Sequence, residues 1–406
     1  MKSSSRRAPA SWPTISSFPA GRRLRPNTLT TTAKDAATRC SSTVANRSPG
    51  PLTADTGTIL RQGRLLSRCR RGRLPVPLVS VAVFAGLLAG CVPYADFTLP
   101  PLIESPREAG LAWETLPSPV IVRGAPGEWD ANDALNPVVV RRGPVYYNFY
   151  SGYDGRRWRT GLATSYDGVH WQKHGPVLEP DPRGWEGRYI AANGSALLVG
   201  REFFYWYQAG DPPRIGLATS PDGRQWVKRP APVLGPGPRG AWDERGVADP
   251  YVVQFGSQFY LFYLGQDRAR RQRLGVACSP DGIRWRKLRA NPVLELGEPG
   301  AFDENGLGEP AVWASHGWYW MLYTGRDRRE YRRLGLARSR DGLRWERVST
   351  RSVFEGRRPW ASRVVCDPWV EMRPDGLWVW FGGGDVAAPA ENLNGQIGLA
   401  QVRFGP

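Results

Sequence analysis

A chain of 406 residues with 41% hydrophobic content can bury a large core in one or two domains. Its net charge of +18 would suggest a nucleic-acid partner, but residues 1–90 carry 15 Lys/Arg against 2 Asp/Glu and the remaining 316 carry 40 against 35. The basicity belongs to the N-terminal stretch, so no nucleic-acid partner is expected of the rest.

Residues 1–59 are rich in Ser, Thr, Arg and Pro without an apolar period, and disorder is expected there if they are made at all. A basic cluster from Arg68 to Arg73 then precedes an apolar run from Val76 to Leu88. That run is shorter than the ~20 residues a spanning helix needs and has the shape of a secretory signal. It ends in Leu88-Ala89-Gly90-Cys91, which resembles a bacterial lipobox with Cys91 as the lipidated residue. Residues 60–91 therefore read as a signal peptide. A translation start between Leu60 and Leu66, rather than at Met1, is the corollary. Residues 92–118, with five prolines, read as a tether. These features imply a cell-envelope protein, lipid-anchored to a membrane and facing the periplasm or the exterior.

From residue 119 to 406 the sequence is periodic. Trp242-Asp-Glu-Arg-Gly-Val-Ala-Asp249-Pro250 recurs around Asn136-Pro137, Asn193-Gly194, Glu309-Pro310 and Asp367-Pro368, at intervals of 57, 56, 60 and 58. An aromatic strand follows each copy, as at Tyr260-Leu-Phe-Tyr263. Next comes a Gly-Leu-Ala-type strand, and then an Asp-Gly turn before a Trp, as at Asp281-Gly282 and Trp285. Asp-Gly between β-rich runs signals a hairpin, and no window shows a long helical period. Five four-stranded units predict an all-β, five-bladed β-propeller. The Ser-x-Asp-Gly-x-x-Trp hairpins read as structural, with Asp capping the turn and Gly taking positive φ. Of five cysteines only Cys278 and Cys366 lie in the repeats, and free buried thiols are expected.

In a propeller, equivalent positions on the innermost strands form a ring around the axis. The position before each Pro or Gly then gathers Asn136, Asn193, Asp249, Glu309 and Asp367. Three carboxylates in one pocket raise one another's pKa, which suits acid/base work on a polar ligand. Asp or Asn capping a strand entry is the structural alternative, but it does not account for Glu309. Trp129, Trp185, Trp242 and Trp360 open the repeats and are candidates for stacking on sugars or for blade packing. Arg188, Arg245 and Arg363 are candidates for binding hydroxyls or an acidic sugar. The three histidines, 170, 174 and 316, lie outside the axial motif, and neither a metal nor a cofactor is expected.

Five units opening on Asp-Pro or Glu-Pro resemble the propeller glycosidases of families 43, 32 and 68 and, more distantly, 130. By the family 43 pattern, Glu309 corresponds to the general acid and Asp249 to the residue that tunes it. The first-blade general base has no counterpart, because Asn136 occupies its place. Asp133, Asp130 or Asp367 can supply that carboxylate. The resemblance implies a glycoside hydrolase acting on oligo- or polysaccharide, expected to be a monomer with a carbohydrate ligand. The alternative is a propeller that binds carbohydrate, or serves as a scaffold, after losing the first-blade Asp.

Overall fold

The structure, a computed structural model, describes residues 94–107, 110–374, 376–388 and 391–405. The expected extension over 1–59, the signal peptide and Cys91 lie outside the described residues. Within them the chain forms five antiparallel four-stranded blades. Blade 3 shows the plan: Gly246–Phe255 innermost, then Gln258–Gln266, Gln272–Ser279 and Arg286–Leu288 outermost. Blades 2 and 4 repeat it with inner strands Ile190–Val199 and Gly306–Ser315. In blade 1 the inner strand is divided at Asn136 into Asp133–Leu135 and Val139–Arg142. In blade 5 the inner strand is Val364–Arg373, and the outermost is Gly110–Thr115, paired antiparallel to Gln396–Gly405.

That last pairing corrects the reading of 92–118 as a tether. Tyr94–Ala95 pairs with Arg286–Leu288 of blade 3. Leu99 is buried over Gly342 of blade 4, the Tyr319 hydroxyl donates to Pro100 O, and Gly110–Thr115 completes blade 5. The prolines mark an extended strap, because extended backbone is what proline favours in either setting.

Stacking of blades buries both faces of the aromatic strands, so Phe259 to Leu264 is a continuous buried run rather than an alternating one. The hairpins form as read: the Asp281 carboxylate accepts from the backbone N–H of Ile283 and Arg284, and Trp285 Nε1 donates to Gly282 O. The same bonds recur at Asp167, Asp222 and Asp341. Cys278 and Cys366 are free and buried.

A second repeated device runs through four blades. The residue after the opening aromatic is a buried acid: Asp130, Glu186, Asp243 or Asp303. Each accepts from a buried Tyr of its aromatic strand and from a cation on the outermost strand. The sets are Asp130–Tyr150–Lys173, Glu186–Tyr207–Lys228, Asp243–Tyr263–Lys287 and Asp303–Tyr323–Arg347. A buried charge held by two donors replaces the water it has lost.

Candidate active site

Each inner strand of blades 2 to 5 carries a β-bulge at the repeated position, with register shifts at 192/195, 248/251, 308/311 and 366/369. The bulged residue is left-handed: φ is 49° at Asn136, 48° at Asn193, 47° at Asp249, 48° at Glu309 and 51° at Asp367. Bulges re-aim a side chain and leave one residue unpaired, which is why proline can follow without losing a ladder bond. All five side chains turn toward the axis and border the same cavity of about 290 Å³. Beneath the ring lies a void of about 30 Å³, over Tyr251 and Trp369, whose rings are 5.0 Å apart.

Hydrogen bonds to the carboxylates cross between blades. Asp367 Oδ2 accepts from the Asn136 N–H at 3.1 Å and from the Cys366 thiol at 3.1 Å. The Asp367 N–H is shared between Glu309 Oε2 at 3.4 Å and Thr324 Oγ1 at 3.3 Å. Gly308 makes room for the neighbouring blade, since a Cβ there would lie 3.3 Å from Asp249 Oδ2. Burial, and then the charge of Glu309, push the Asp249 carboxyl up to about 8. The same two causes, in the same order, hold Asp367 well above the carboxylate range. Burial also raises the Cys366 thiol. Arg332 faces this group, and its neighbours Cys366, Glu309 and Asp367 outweigh the burial that opposes its charge. Ligand atoms of Glu309, Cys366 and Asp367 lie within 4.8 Å of one another, but Arg332 already supplies positive charge to that cluster.

The cavity wall above the ring is polar and partly unsatisfied. Asn193 Oδ1 and Gln208 Oε1 are buried acceptors without a hydrogen-bond partner among the described residues, and both line it. Buried polar atoms are usually paired with protein or ordered water, and these two face the cavity. Arg245, Arg326, Arg332 and Glu391, with Trp158 and Tyr189, form the charged and aromatic part of the wall.

Several expected site residues lie elsewhere. Asp133 is fully buried and accepts backbone N–H bonds from Asn392, Leu393 and Gly395 at 2.7–2.8 Å, clamping blade 5 to blade 1. It does not face the ring, and neither does Asp130, the acid of the first blade's buried set. Trp129 lies over Gly152 and Gly161, Trp242 over Gly265 and Gly275, and Trp360 over Gly383 and Gly398. Trp185 stacks on Tyr207. All four are half-buried and none borders the cavity, and glycines on the neighbouring strands admit the indoles of Trp129, Trp242 and Trp360. Arg188 is not among the residues bordering the cavity, and Arg363 donates to the Tyr331 hydroxyl.

Four of the bordering residues that sequence reasoning missed carry a periodic signal. Trp158, Pro213, Gln272 and Arg332 each stand three places before the glycine of the Gly-x-Ala strand, and all four border the cavity. They vary in chemistry at a fixed position, so a search for repeated residue types passes over them.

The comparisons with known proteins agree with this architecture. An uncharacterized protein of Mycobacterium tuberculosis (strain ATCC 25618 / H37Rv) is 30% identical over 221 residues, 51% of this chain and 72% of that protein. A 1,2-beta-oligomannan phosphorylase of Thermoanaerobacter sp. (strain X514) is 31% identical over 183 residues, 40% of this chain and 60% of its own length. A thermostable family-43 glycoside hydrolase shares the fold at 17% identity, with a TM-score of 0.52 over 67% of this chain and 89% of that one. Residues 132–358 match the model of the glycosyl hydrolases family 32 N-terminal domain, and the chain belongs to that family of propeller glycosidases.

Proposed function

We propose that the axial cavity cleaves glycosidic bonds, with Asp249 as proton donor and Glu309 beside it. The observation that carries this reading is the Asp249 carboxyl raised to about 8 beside Glu309 and facing a cavity of about 290 Å³. A carboxyl that keeps its proton at neutral pH is what general acid catalysis requires. This exchanges the roles that the family 43 pattern implies. The glycosidic oxygen takes the Asp249 proton as its bond to the anomeric carbon breaks, and the electron pair leaves with that oxygen. Water then attacks the anomeric carbon, and Glu309 takes the proton it sheds. Asp367, held by Asn136 and Cys366, fixes the position of its neighbours.

A second reading, in which inorganic phosphate replaces water, is favoured by Asn136 and by the arginines. Phosphate is already an anion and needs no base, which suits a ring with an amide where a first-blade carboxylate is expected. Arg245, Arg326 and Arg332 border the same cavity, and a relative bears the name of an oligomannan phosphorylase. The test is turnover of aryl furanosides, aryl pyranosides and β-1,2-mannobiose with and without phosphate. Cleavage independent of phosphate supports hydrolysis; cleavage only with phosphate, yielding a sugar phosphate, supports the second reading. No cleavage of any substrate leaves a carbohydrate-binding propeller.

Localisation follows from the sequence reading. We propose that the protein is held at the cell envelope by a lipid on Cys91. Tyr94, only three residues later, is already paired to blade 3, so such an anchor has a reach of about 10 Å rather than a long tether. A Cys91→Ser variant should leave the membrane fraction; its retention there would refute the anchor.

A further inference from the structure

Blade 5 lacks the buried acid–tyrosine–cation set of the other four blades, and all three members are replaced together. Ala361 stands where the acid would be, and Phe381, opposite Gly398, replaces the tyrosine. On the outermost strand the cations Lys173, Lys228, Lys287 and Arg347 pair with Ala163, Ala218, Ala277 and Ala337. The corresponding partner of Ala400 is Thr115. The side chains removed leave space: Thr115, Ala361 and Phe381 all border a cavity of about 720 Å³ at the blade 4–blade 5 junction. That volume falls within the roughly 300–1,000 Å³ of ordinary small-molecule sites.

The lining is built for a particular chemistry. Trp113 and Phe354 form an aromatic wall, stacked at 4.5 Å with 4° between their planes. Trp113 Nε1 is buried and has no acceptor among the described residues. Arg351, Arg357 and Arg358 are exposed at the mouth beside a single acid, Glu355. Arg351 and Arg358 have no ion-pair partner among the described residues, and Arg357 reaches Glu355 only at 3.9 Å. We propose that this cavity is a second ligand site, separate from the axial pocket, that binds a carboxylate-bearing sugar. The apolar face of the ring packs on the aromatic wall, a hydroxyl accepts from the Trp113 indole, and the carboxylate meets the arginine fork.

The test is titration of the whole protein with trigalacturonate, its neutral methyl ester and inorganic phosphate, read by calorimetry. Trigalacturonate should bind saturably, and at least tenfold more tightly than the ester or phosphate. The double variant Arg351→Ala/Arg358→Ala should weaken it at least tenfold without altering cleavage at the axial pocket. Asp249→Asn should leave the affinity unchanged, so this site stands or falls independently of the catalytic reading. Equal binding of the ester or of phosphate would overturn the proposal. So would no binding, or loss in Asp249→Asn with retention in the arginine variant.

Discussion

Glu309 occupies a left-handed backbone position that costs an ordinary side chain about 1–2 kcal/mol, a cost that Asn and Asp partly avoid. The other four ring residues are Asn or Asp, so local geometry accounts for them; it does not account for a glutamate. The longer side chain reaches across to the Asp367 N–H, and its charge helps to raise both aspartates. The ring was legible in the sequence because one backbone requirement recurs at five sites with a proline or glycine behind it. Asp133 was misread because residue type alone does not separate a carboxylate that caps three backbone donors from one that faces a ligand. The raised Asp249 has a consequence for stability. Its folded value of about 8 exceeds the ordinary 3.8, so the folded state holds a proton that the unfolded chain has released. That contribution is complete below pH 4 and is lost as pH rises through 8. The melting temperature of Asp249→Asn relative to wild type should therefore climb between pH 4 and pH 9, by at least about 2 °C. A difference that does not change with pH would contradict the shift.

The blade is the unit in which packing and charge repeat. Its strand order was readable from the aromatic runs and the Asp-Gly turns, since both answer to local geometry. The buried acid–tyrosine–cation set was not, because its members are about 20 residues and then a further 23 or so apart along the chain and meet only through register. Four blades keep the whole set and the fifth has none of it, as expected where half a set leaves an uncompensated buried charge. Lys287→Thr and Asp243→Ala should therefore each cost about 3 kcal/mol by denaturant unfolding. Asp243→Ala/Tyr263→Phe/Lys287→Thr, which imitates blade 5, should cost less than the summed single changes by at least about 1 kcal/mol. Strict additivity would show that the three do not act as a unit.

Across the whole molecule, closure depends on parts far apart in the chain. Gly110–Thr115 supplies the outermost strand of the last blade, and Asp133 holds the loop before the final strand against the first. The strap over residues 94–107 and 110–115 was the largest misreading, because proline-rich extended chain looks the same whether it is free or lies on other strands. Closing the ring brings residues from five blades to one axial cavity, and the chemistry proposed there depends on that convergence. The most direct test is the rate of glycoside cleavage by wild type and Asp249→Asn from pH 5 to pH 9, on whichever substrate turns over. Wild type should lose activity as pH rises through about 8, and Asp249→Asn should be slower by roughly 10²–10⁴-fold throughout. Full activity in Asp249→Asn, with an unchanged pH profile, would contradict the assignment.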